Sequence, residues 1–399
     1  QSMKRVAQLD GVRGIAILLV LLWHYWACEV RLAPHSLLAH VNLMFGITWS
    51  GVDLFFVLSG FLITGILLDH RGASNFFRVF YLRRLCRIFP LYFLVLGLYA
   101  ALLLVLGSRA SSAAFHWLFE NRLPLWSYAT FTQNFFMGHR GTYGGNWLGC
   151  TWSLAVEEQF YLVIPLLVYF LPRRAFAIVA IAAVVAAPLL RFLSPGLHAF
   201  VDTPFRSDSL LSGALLALLV RRPLLVSWIM ERRGPLRMLF AFLLSGAGVM
   251  AWRQDYFGVF RHSWLAMLYA AFILIAYLDT EPRLTRLLSS RVLVWFGRCS
   301  YGIYLIHMPV SGLLHGLFRH RPPELLDWPG AVLTLVSLAI TLALAAASFR
   351  FLESPILRLG RRAKYGEAGE AGEAGNDETR TSKFELDPKI RPAPVTLLR

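Results

Sequence analysis

Apolar residues dominate long stretches of this chain, and polar residues cluster in the short segments between them. An α-helix needs about twenty apolar residues to cross the hydrocarbon core of a bilayer. Runs of this length predict about ten transmembrane helices and therefore an all-α, polytopic helical bundle. The predicted spans are 9–28, 46–68, 88–107, 148–171, 174–193, 207–220, 235–252, 262–279, 293–317 and 329–350.

Composition and charge agree with a membrane protein. The chain has 399 residues, of which 57% are hydrophobic and only 16% are charged. The formal net charge of +16 does not indicate nucleic-acid binding, because the basic residues lie between apolar segments and form no single patch. If both termini are cytoplasmic, most of the 39 basic residues fall on the inner side, as the positive-inside rule requires. We therefore expect both termini in the cytoplasm.

The composition changes after the last predicted span. Residues 359–399 contain the repeat EAGEAGEAG and a Pro-containing end, so they cannot bury a hydrophobic core. We expect a transmembrane domain over 1–358 and a disordered cytoplasmic tail over 359–399. The four cysteines have no metal-site spacing, and we expect no metal. Any catalysis is therefore expected within the helical bundle.

Two polar residues interrupt the first predicted span. Arg13 and His24 are eleven residues apart in the sequence. This is about three helical turns, so both side chains should lie on one face, roughly 16 Å apart along the axis. Charged and imidazole groups are costly inside a bilayer and usually serve a function there. One helix could thus contribute to chemistry at two depths.

Three further spans carry ionisable residues at the predicted depth of His24. Asp53, Glu157 and His307 lie in the outer halves of the second, fourth and ninth spans. We expect a polar cavity between these helices and the first one. Two interpretations stay open for Asp53, Glu157 and His307, because each could act in a reaction or could satisfy a structural partner across the helix interface.

The second span also carries a predicted packing face. Asp53, Gly60 and Thr64 are spaced by seven and four residues, so they share one face of a helix. Small and polar residues on such a face allow two helices to approach closely inside a membrane.

Basic residues cluster before the third predicted span, in FYLRRLCRIFPLYF. Arg84 and Arg87 are three apart and so share a helix face. Two interpretations are open: a phosphate clamp, because guanidinium groups bind phosphate through paired hydrogen bonds, or an anchor for anionic headgroups. In the first case Arg13 could continue the site inward.

Six motifs together resemble the acyltransferase family 3 membrane proteins. In chain order they are DGVRGIAILLVLLWHY, GVDLFFVLSGFLIT, YLRRLCRIFPLYF, TWSLAVEEQFYL, CSYGIYLIHMPV and FRFLESPILRL, and they cover 1–358. The resemblance implies an integral-membrane O-acyltransferase of the bacterial cytoplasmic membrane. It also implies the stand-alone type, without the periplasmic hydrolase-like domain that many relatives carry.

The resemblance further implies substrates and site residues. The Arg and His that the family requires in its first helix match Arg13 and His24, its RxxR element matches Arg84 and Arg87, and the Glu of its WSLxxE element matches Glu157. The implied donor is acyl-CoA, acetyl-CoA above all, and the implied acceptor is a hydroxyl of a cell-envelope carbohydrate.

From this resemblance we expect a role for the imidazole of the first span. His24 would act as a general base toward the acceptor or as a covalent acyl relay. We expect Glu157 or Asp53 to orient its ring.

Two other functions stay open at this point. A tailoring O-acyltransferase that modifies a secondary metabolite such as a macrolide would share these motifs. A transporter or flippase for a lipid-linked sugar would also bury ionisable residues, but it predicts internal repeats, and the two halves of the chain show no convincing similarity. The predicted outer loop 108–147, with its HRGTYGGNW segment, could contact a sugar through aromatic residues or could simply connect two helices.

Overall fold

The computed structural model describes residues 7–29, 42–106, 113–253, 256–278 and 281–366, and every regular element in these ranges is a helix. The first nine helices are α1 (Ala7–Leu22), α2 (Gly51–Asp69), α3 (Phe76–Leu106), α4 (Ala113–Phe119), α5 (Leu125–Ala129), α6 (Gln133–Arg140), α7 (Trp152–Phe170), α8 (Arg173–Leu193) and α9 (His198–Val201). The others are α10 (Ser207–Leu219), α11 (Pro223–Glu231), α12 (Arg233–Trp252), α13 (Arg261–Tyr277), α14 (Pro282–Leu288), α15 (Arg291–Arg319), α16 (Trp328–Ser348) and α17 (Ser354–Arg362).

The chain is a multi-pass membrane protein, as the apolar runs predict. Within the described ranges, eight helical segments are long and apolar enough to cross a membrane. A ninth would be the pair formed by α10 and α11, which is bent by 94°. The 29-residue α15 is not among the eight, because its buried face carries polar residues such as Ser300, His307 and Ser311. Such a helix faces other helices instead of lipid.

Two helices, α3 and α17, have ends that differ from the predicted bounds. The third predicted span begins at residue 88, whereas α3 begins at Phe76 and runs for 31 residues. Arginine is a good helix former, and Arg84 and Arg87 lie inside this helix, as their predicted shared face requires, although the predicted span begins after them. At the other end of the chain, α17 continues to Arg362, four residues past the predicted domain boundary at 358. Residues 367–399 of the predicted tail lie outside the described residues.

The first helix packs against α15 at backbone distance. A Cβ atom built on Gly297 would lie 1.8 Å from the carbonyl oxygen of Asp10, and one built on Gly14 would lie 2.2 Å from the carbonyl oxygen of Leu293. Both distances are far below van der Waals contact. Only glycine therefore allows these two helices to approach so closely.

The same kind of contact joins α2 to α10. A Cβ atom on Gly60 would lie 1.9 Å from the carbonyl oxygen of Leu210, and one on Gly213 would lie 2.0 Å from that of Val57. Thr64 lies on the same buried surface of α2. The close-packing face predicted for the second span is confirmed.

A buried ion pair also holds α2 in place. Asp53 accepts a hydrogen bond of 2.5 Å from Arg206, and neither side chain is exposed. Ser209 donates a second hydrogen bond of 2.9 Å to the same carboxylate oxygen. Arg206 also donates to Nδ1 of His262 over 2.6 Å, so the pair connects α2, α10 and α13.

The predicted outer loop is largely helical where the structure describes it. It contains α4, α5 and α6, and Gly141 ends α6 with a positive φ of 65°. Trp147 is buried, with its ring 5.6 Å from that of Phe119. Of the two aromatic residues in HRGTYGGNW, only Tyr143 is exposed, at 38%.

We predict that Gly297→Ala lowers the free energy of unfolding by about 1–3 kcal/mol, because the added methyl group forces α1 and α15 apart. Gly97→Ala is the matched control, since no atom lies within 4 Å of its Cβ position on α3. Thermal unfolding of the two purified proteins in one detergent measures the difference. Equal stability of the two variants would contradict the close contact.

We predict that Asp53→Asn destabilises the protein by about 3–5 kcal/mol, because the buried guanidinium of Arg206 loses its counter-charge. The control is Glu281→Gln, which removes the exposed partner of Arg237 and should cost about 0–1 kcal/mol. Chemical unfolding followed by tryptophan fluorescence compares them. An Asp53→Asn protein as stable as the control would show that the buried pair contributes no net stability.

Candidate active site

The orientation of Arg13 follows from the glycines beside it. Gly11 and Gly14 share a face of α1, and Cβ atoms on them would lie 1.9 Å and 2.2 Å from the backbone oxygens of Leu288 and Leu293. This face must therefore point at α14 and α15. Arg13 lies at least about 100° away around the helix, and its side chain lines two adjoining cavities inside the bundle.

The larger of these, which we call the basic cavity, has a volume of about 590 Å³. This is within the usual range for small-molecule sites. Six arginines line it, with Asp10 as the one acidic lining residue among the described residues. The arginines are Arg13, Arg83, Arg84, Arg87, Arg298 and Arg361. Such a concentration of guanidinium groups favours an anion that carries several charges.

The smaller one, which we call the inner cavity, has a volume of about 80 Å³ and lies between α1, α2, α3, α7 and α15. Arg13, Arg84 and Arg87 line both cavities, so the two adjoin. The inner cavity adds Glu157 and Tyr304 to these arginines, together with apolar residues of α2. The helices predicted to surround a polar cavity do so, and α3 joins them.

Arg84 presents an unused donor at the junction of the two cavities. Its guanidinium carbon lies 5.8 Å from the ring centre of Tyr161 and 6.0 Å from that of Phe80. Its buried Nε atom has no hydrogen-bond partner among the described residues. Because a buried N–H without a partner is costly, this atom marks a position where a ligand acceptor would be stabilised.

Glu157 is held in the inner cavity from the neighbouring helix. The hydroxyl of Ser59 on α2 donates a hydrogen bond of 2.7 Å to its Oε1 atom. Tyr161 donates in turn to the Ser59 oxygen over 3.3 Å. Glu157 therefore has a structural partner across the helix interface, and it also lines the cavity, so its role in a reaction stays a prediction.

The two histidines form a pair. The rings of His24 and His307 meet edge to face, with their centres 4.8 Å apart. Nδ1 of His24 lies 3.0 Å from the carbonyl oxygen of Val20, and Nδ1 of His307 lies 2.7 Å from that of Tyr304. A carbonyl oxygen only accepts, so Nδ1 carries the hydrogen in both rings, and each neutral ring has its lone pair on Nε2. The buried Nε2 of His307 has no partner among the described residues.

A tyrosine stands between the cavity and this pair. The lining of the inner cavity includes Tyr304 but neither His24 nor His307. The ring centre of Tyr304 lies 5.8 Å from that of His307. Its hydroxyl donates to the carbonyl oxygen of Cys150 over 2.8 Å and lies 2.6 Å from the hydroxyl oxygen of Ser153. The structure therefore groups the predicted site residues into a cavity set and a histidine set.

Neither Glu157 nor Asp53 takes the position that we expected for orienting the ring of His24. The ring of His24 is oriented by Val20, whereas Glu157 bonds to Ser59 and Asp53 bonds to Arg206. Asp53 faces α10 and α13 instead of the inner cavity. The physical reason is the buried guanidinium, which is a far stronger partner for a carboxylate than a neutral imidazole.

Sequence reasoning missed several features of the site. The partner of Asp53 is Arg206, and its signal was the charged sequence FRSDS at the start of the sixth predicted span. Arg298 and Arg361 join the basic cavity from positions far apart in the chain. His24 lies in a π-helical turn, Trp23–Ala27, that continues α1. Such turns recur at functional sites, but no residue pattern here predicted one.

Comparison with known proteins identifies the family. The family model described as an acyltransferase domain matches residues 6–350. Peptidoglycan O-acetyltransferase OatA of Listeria monocytogenes is 29% identical over 90% of this chain and 57% of its own length. The putative peptidoglycan O-acetyltransferase YrhL of Bacillus subtilis is 29% identical over 91% of this chain and 56% of its own length. A putative O-acetyltransferase of Staphylococcus aureus is 26% identical, with coverages of 91% and 59%.

The chain thus spans less than two thirds of the length of these curated relatives. No solved structure matches it. The family model nevertheless covers most of the chain, including the inner cavity, the histidine pair and all residues of the basic cavity except Leu357, Gly360 and Arg361. The motifs noted in the sequence and this match agree, and the chain belongs to the acyltransferase family 3 membrane proteins.

Proposed function

We propose that this protein is an acyl-CoA-dependent O-acyltransferase that moves an acyl group, in the simplest case acetyl, to a hydroxyl of a cell-envelope carbohydrate. The observation that carries the proposal is the pair of adjoining cavities. A basic chamber opens into a narrow polar one, and three arginines are shared between them. Two of the relatives are named as peptidoglycan O-acetyltransferases, and this favours an envelope glycan over a secondary metabolite as the acceptor. Membership of the family favours acyl transfer over transport.

The basic cavity suits the phosphates of coenzyme A. Arg84 and Arg87 lie one turn apart on α3, and Arg13 faces them from α1. Planar guanidinium groups bind phosphate oxygens in pairs. With the phosphates held there, the slender pantetheine arm would extend into the inner cavity and carry the thioester toward Tyr304. A metal ion is not needed in this scheme.

The chemical step uses the lone pair on Nε2 of His24. This atom removes the proton of the acceptor hydroxyl while the hydroxyl oxygen attacks the thioester carbon. The carbon–sulfur bond then breaks, and the imidazolium returns the proton to the departing thiolate. A covalent relay, in which Nε2 itself attacks the thioester and then passes the acyl group on, balances equally well. His307 supports either route as a second acceptor of hydrogen bonds beside the reacting oxygen.

The ring of Tyr304 must move during this reaction. It stands between the inner cavity and the histidine pair, and two hydrogen bonds to the start of α7 hold it there. Rotation of this one side chain would connect the inner cavity with the histidine pair. In the proposed topology the basic cavity faces the cytoplasm, both termini lie on that side, and the protein resides in the bacterial cytoplasmic membrane.

We predict that His24→Ala abolishes acyl transfer, with a loss of roughly 10²–10⁴-fold or more, while the protein folds and accumulates normally. His139→Ala, at an exposed position on α6, is the control. Release of coenzyme A from acetyl-CoA by membranes, together with mass spectrometry of the envelope glycans, measures the effect. Full activity in His24→Ala would reject the catalytic role.

We predict that Arg84→Gln and Arg87→Gln each raise the apparent KM for acetyl-CoA by about tenfold or more, because a charge-assisted hydrogen bond to phosphate is worth about 1.5–3 kcal/mol. Arg78→Gln removes an exposed arginine of the same helix and should leave KM unchanged. Steady-state kinetics at fixed acceptor concentration test this. An unchanged KM in both variants, with lower membrane insertion, would favour the headgroup-anchor interpretation.

A further inference from the structure

The chain that follows α17 is fixed at the edge of the basic cavity. We call residues 363–366 the rim segment. Arg83 donates two hydrogen bonds to the carbonyl oxygen of Ala363, of 2.7 Å and 3.2 Å. Asn75, in the loop between α2 and α3, donates to the carbonyl oxygen of Lys364 over 3.0 Å and accepts from the backbone N–H of Gly366 over 2.8 Å.

An aromatic side chain strengthens this attachment. The ring of Tyr365 stacks on that of His70, with centres 4.0 Å apart. The guanidinium carbon of Arg83 lies 5.0 Å from the same ring centre. Because Arg83 also lines the basic cavity, as do Gly360 and Arg361, the rim segment lies directly beside that cavity.

The sequence that leaves the rim segment is acidic. The stretch 367–378, EAGEAGEAGNDE, contains five carboxylates and no basic residue. The adjacent cavity is lined by six arginines and one aspartate among the described residues. The acidic stretch therefore begins only a few residues after Arg361, which lines the basic cavity. The donor phosphates would present the same kind of charge to the same arginines.

We propose that the acidic stretch 367–378 binds the arginines of the basic cavity and competes there with the phosphates of acyl-CoA. This rests on the proposed use of acyl-CoA as the donor. The rim segment ends beside the cavity, and a random coil of twelve residues would have a root-mean-square reach of roughly 17–21 Å. Tethering at such a distance gives an effective concentration in the millimolar range.

The acidic stretch competes only weakly with the phosphates of acyl-CoA. Carboxylates in contact with partly hydrated arginines contribute little each, so donor binding is reduced but not prevented. Such a contact would also keep six arginines from repelling one another while no donor is bound. The protein would thus respond to the concentration of acyl-CoA above a threshold that its own tail sets.

The test measures binding of coenzyme A itself to the purified full chain by isothermal titration calorimetry. The variant replaces the five acids of the stretch: Glu367→Gln, Glu370→Gln, Glu373→Gln, Asp377→Asn and Glu378→Gln. The control replaces Glu385→Gln and Asp387→Asn, two acids that have Lys383 and Lys389 as neighbours. We expect the five-fold variant to bind coenzyme A about two- to fivefold more tightly, and the control to bind like the natural chain.

Each other outcome has a distinct meaning. Equal affinity in all three proteins overturns the competition and leaves the proposed donor intact. If none of the three proteins binds coenzyme A, the proposed donor is wrong and the competition falls with it. The difference between variant and natural chain should also shrink at 0.5 M salt, since screening acts on this contact between charges. A difference that persists unchanged at high salt would count against an electrostatic contact.

Discussion

Contact between helix backbones is the constraint on which this structure depends. Inside a membrane there is no hydrophobic force to press helices together, so they associate by close packing and by polar contacts. Here Gly14 and Gly297 bring α1 against α15, and Gly60 and Gly213 bring α2 against α10. With these faces fixed, the remaining face of α1 has to turn inward, and that face carries Arg13. The position of the guanidinium is therefore a consequence of small residues on the other side of the same helix.

Polar groups buried by this packing fall into two classes. One class joins helices through several hydrogen bonds, as in the Asp53 and Arg206 pair, which bonds to α10 and α13, although Oδ2 of Asp53 and Nε of Arg206 have no partner among the described residues. The other class lies in or beside the candidate site, where Nε of Arg84 and Nε2 of His307 are among the buried atoms without a partner among the described residues. Engaged groups hold helices together, whereas unengaged ones are costly unless a ligand meets them. Arg84 lines both cavities, and the ring centre of His307 lies 5.8 Å from that of Tyr304.

Much of the fold could be predicted from the chain, because a bilayer allows few solutions. Apolar runs predicted the multi-pass all-α architecture, and the spacing of Gly60 and Thr64 predicted a packed face that the structure confirms. Helix ends were less accurate, since Arg84 and Arg87 favour helix as much as they favour a membrane surface, and α3 extends through them. The fold class could be read from hydropathy alone, but the start of a helix in the headgroup region could not.

The site was only partly predictable, because helical spacing defines a face but not its neighbour. The sequence placed Asp53 and His24 at one depth, and nothing in their spacing showed that Arg206, more distant in the chain, would bind the carboxylate first. The grouping of Arg13 with Arg84 and Arg87 agrees with the expectation, whereas Glu157, expected beside His24, lines a cavity with these arginines and without His24. The separation of His24 from that cavity by Tyr304 depends on the ring of a single side chain, which no pattern in the sequence encodes.

The same tyrosine has a consequence for the membrane as a whole. A helical bundle with a polar cavity on one side and ionisable groups on the other risks becoming a leak for protons. Tyr304 closes that path with an aromatic ring whose hydroxyl bonds to Ser153 of α7 and to Cys150 in the turn before α7. A membrane-embedded helical bundle with such a closed ring in its polar interior stays impermeable to protons, and the ion gradient of the cell is preserved.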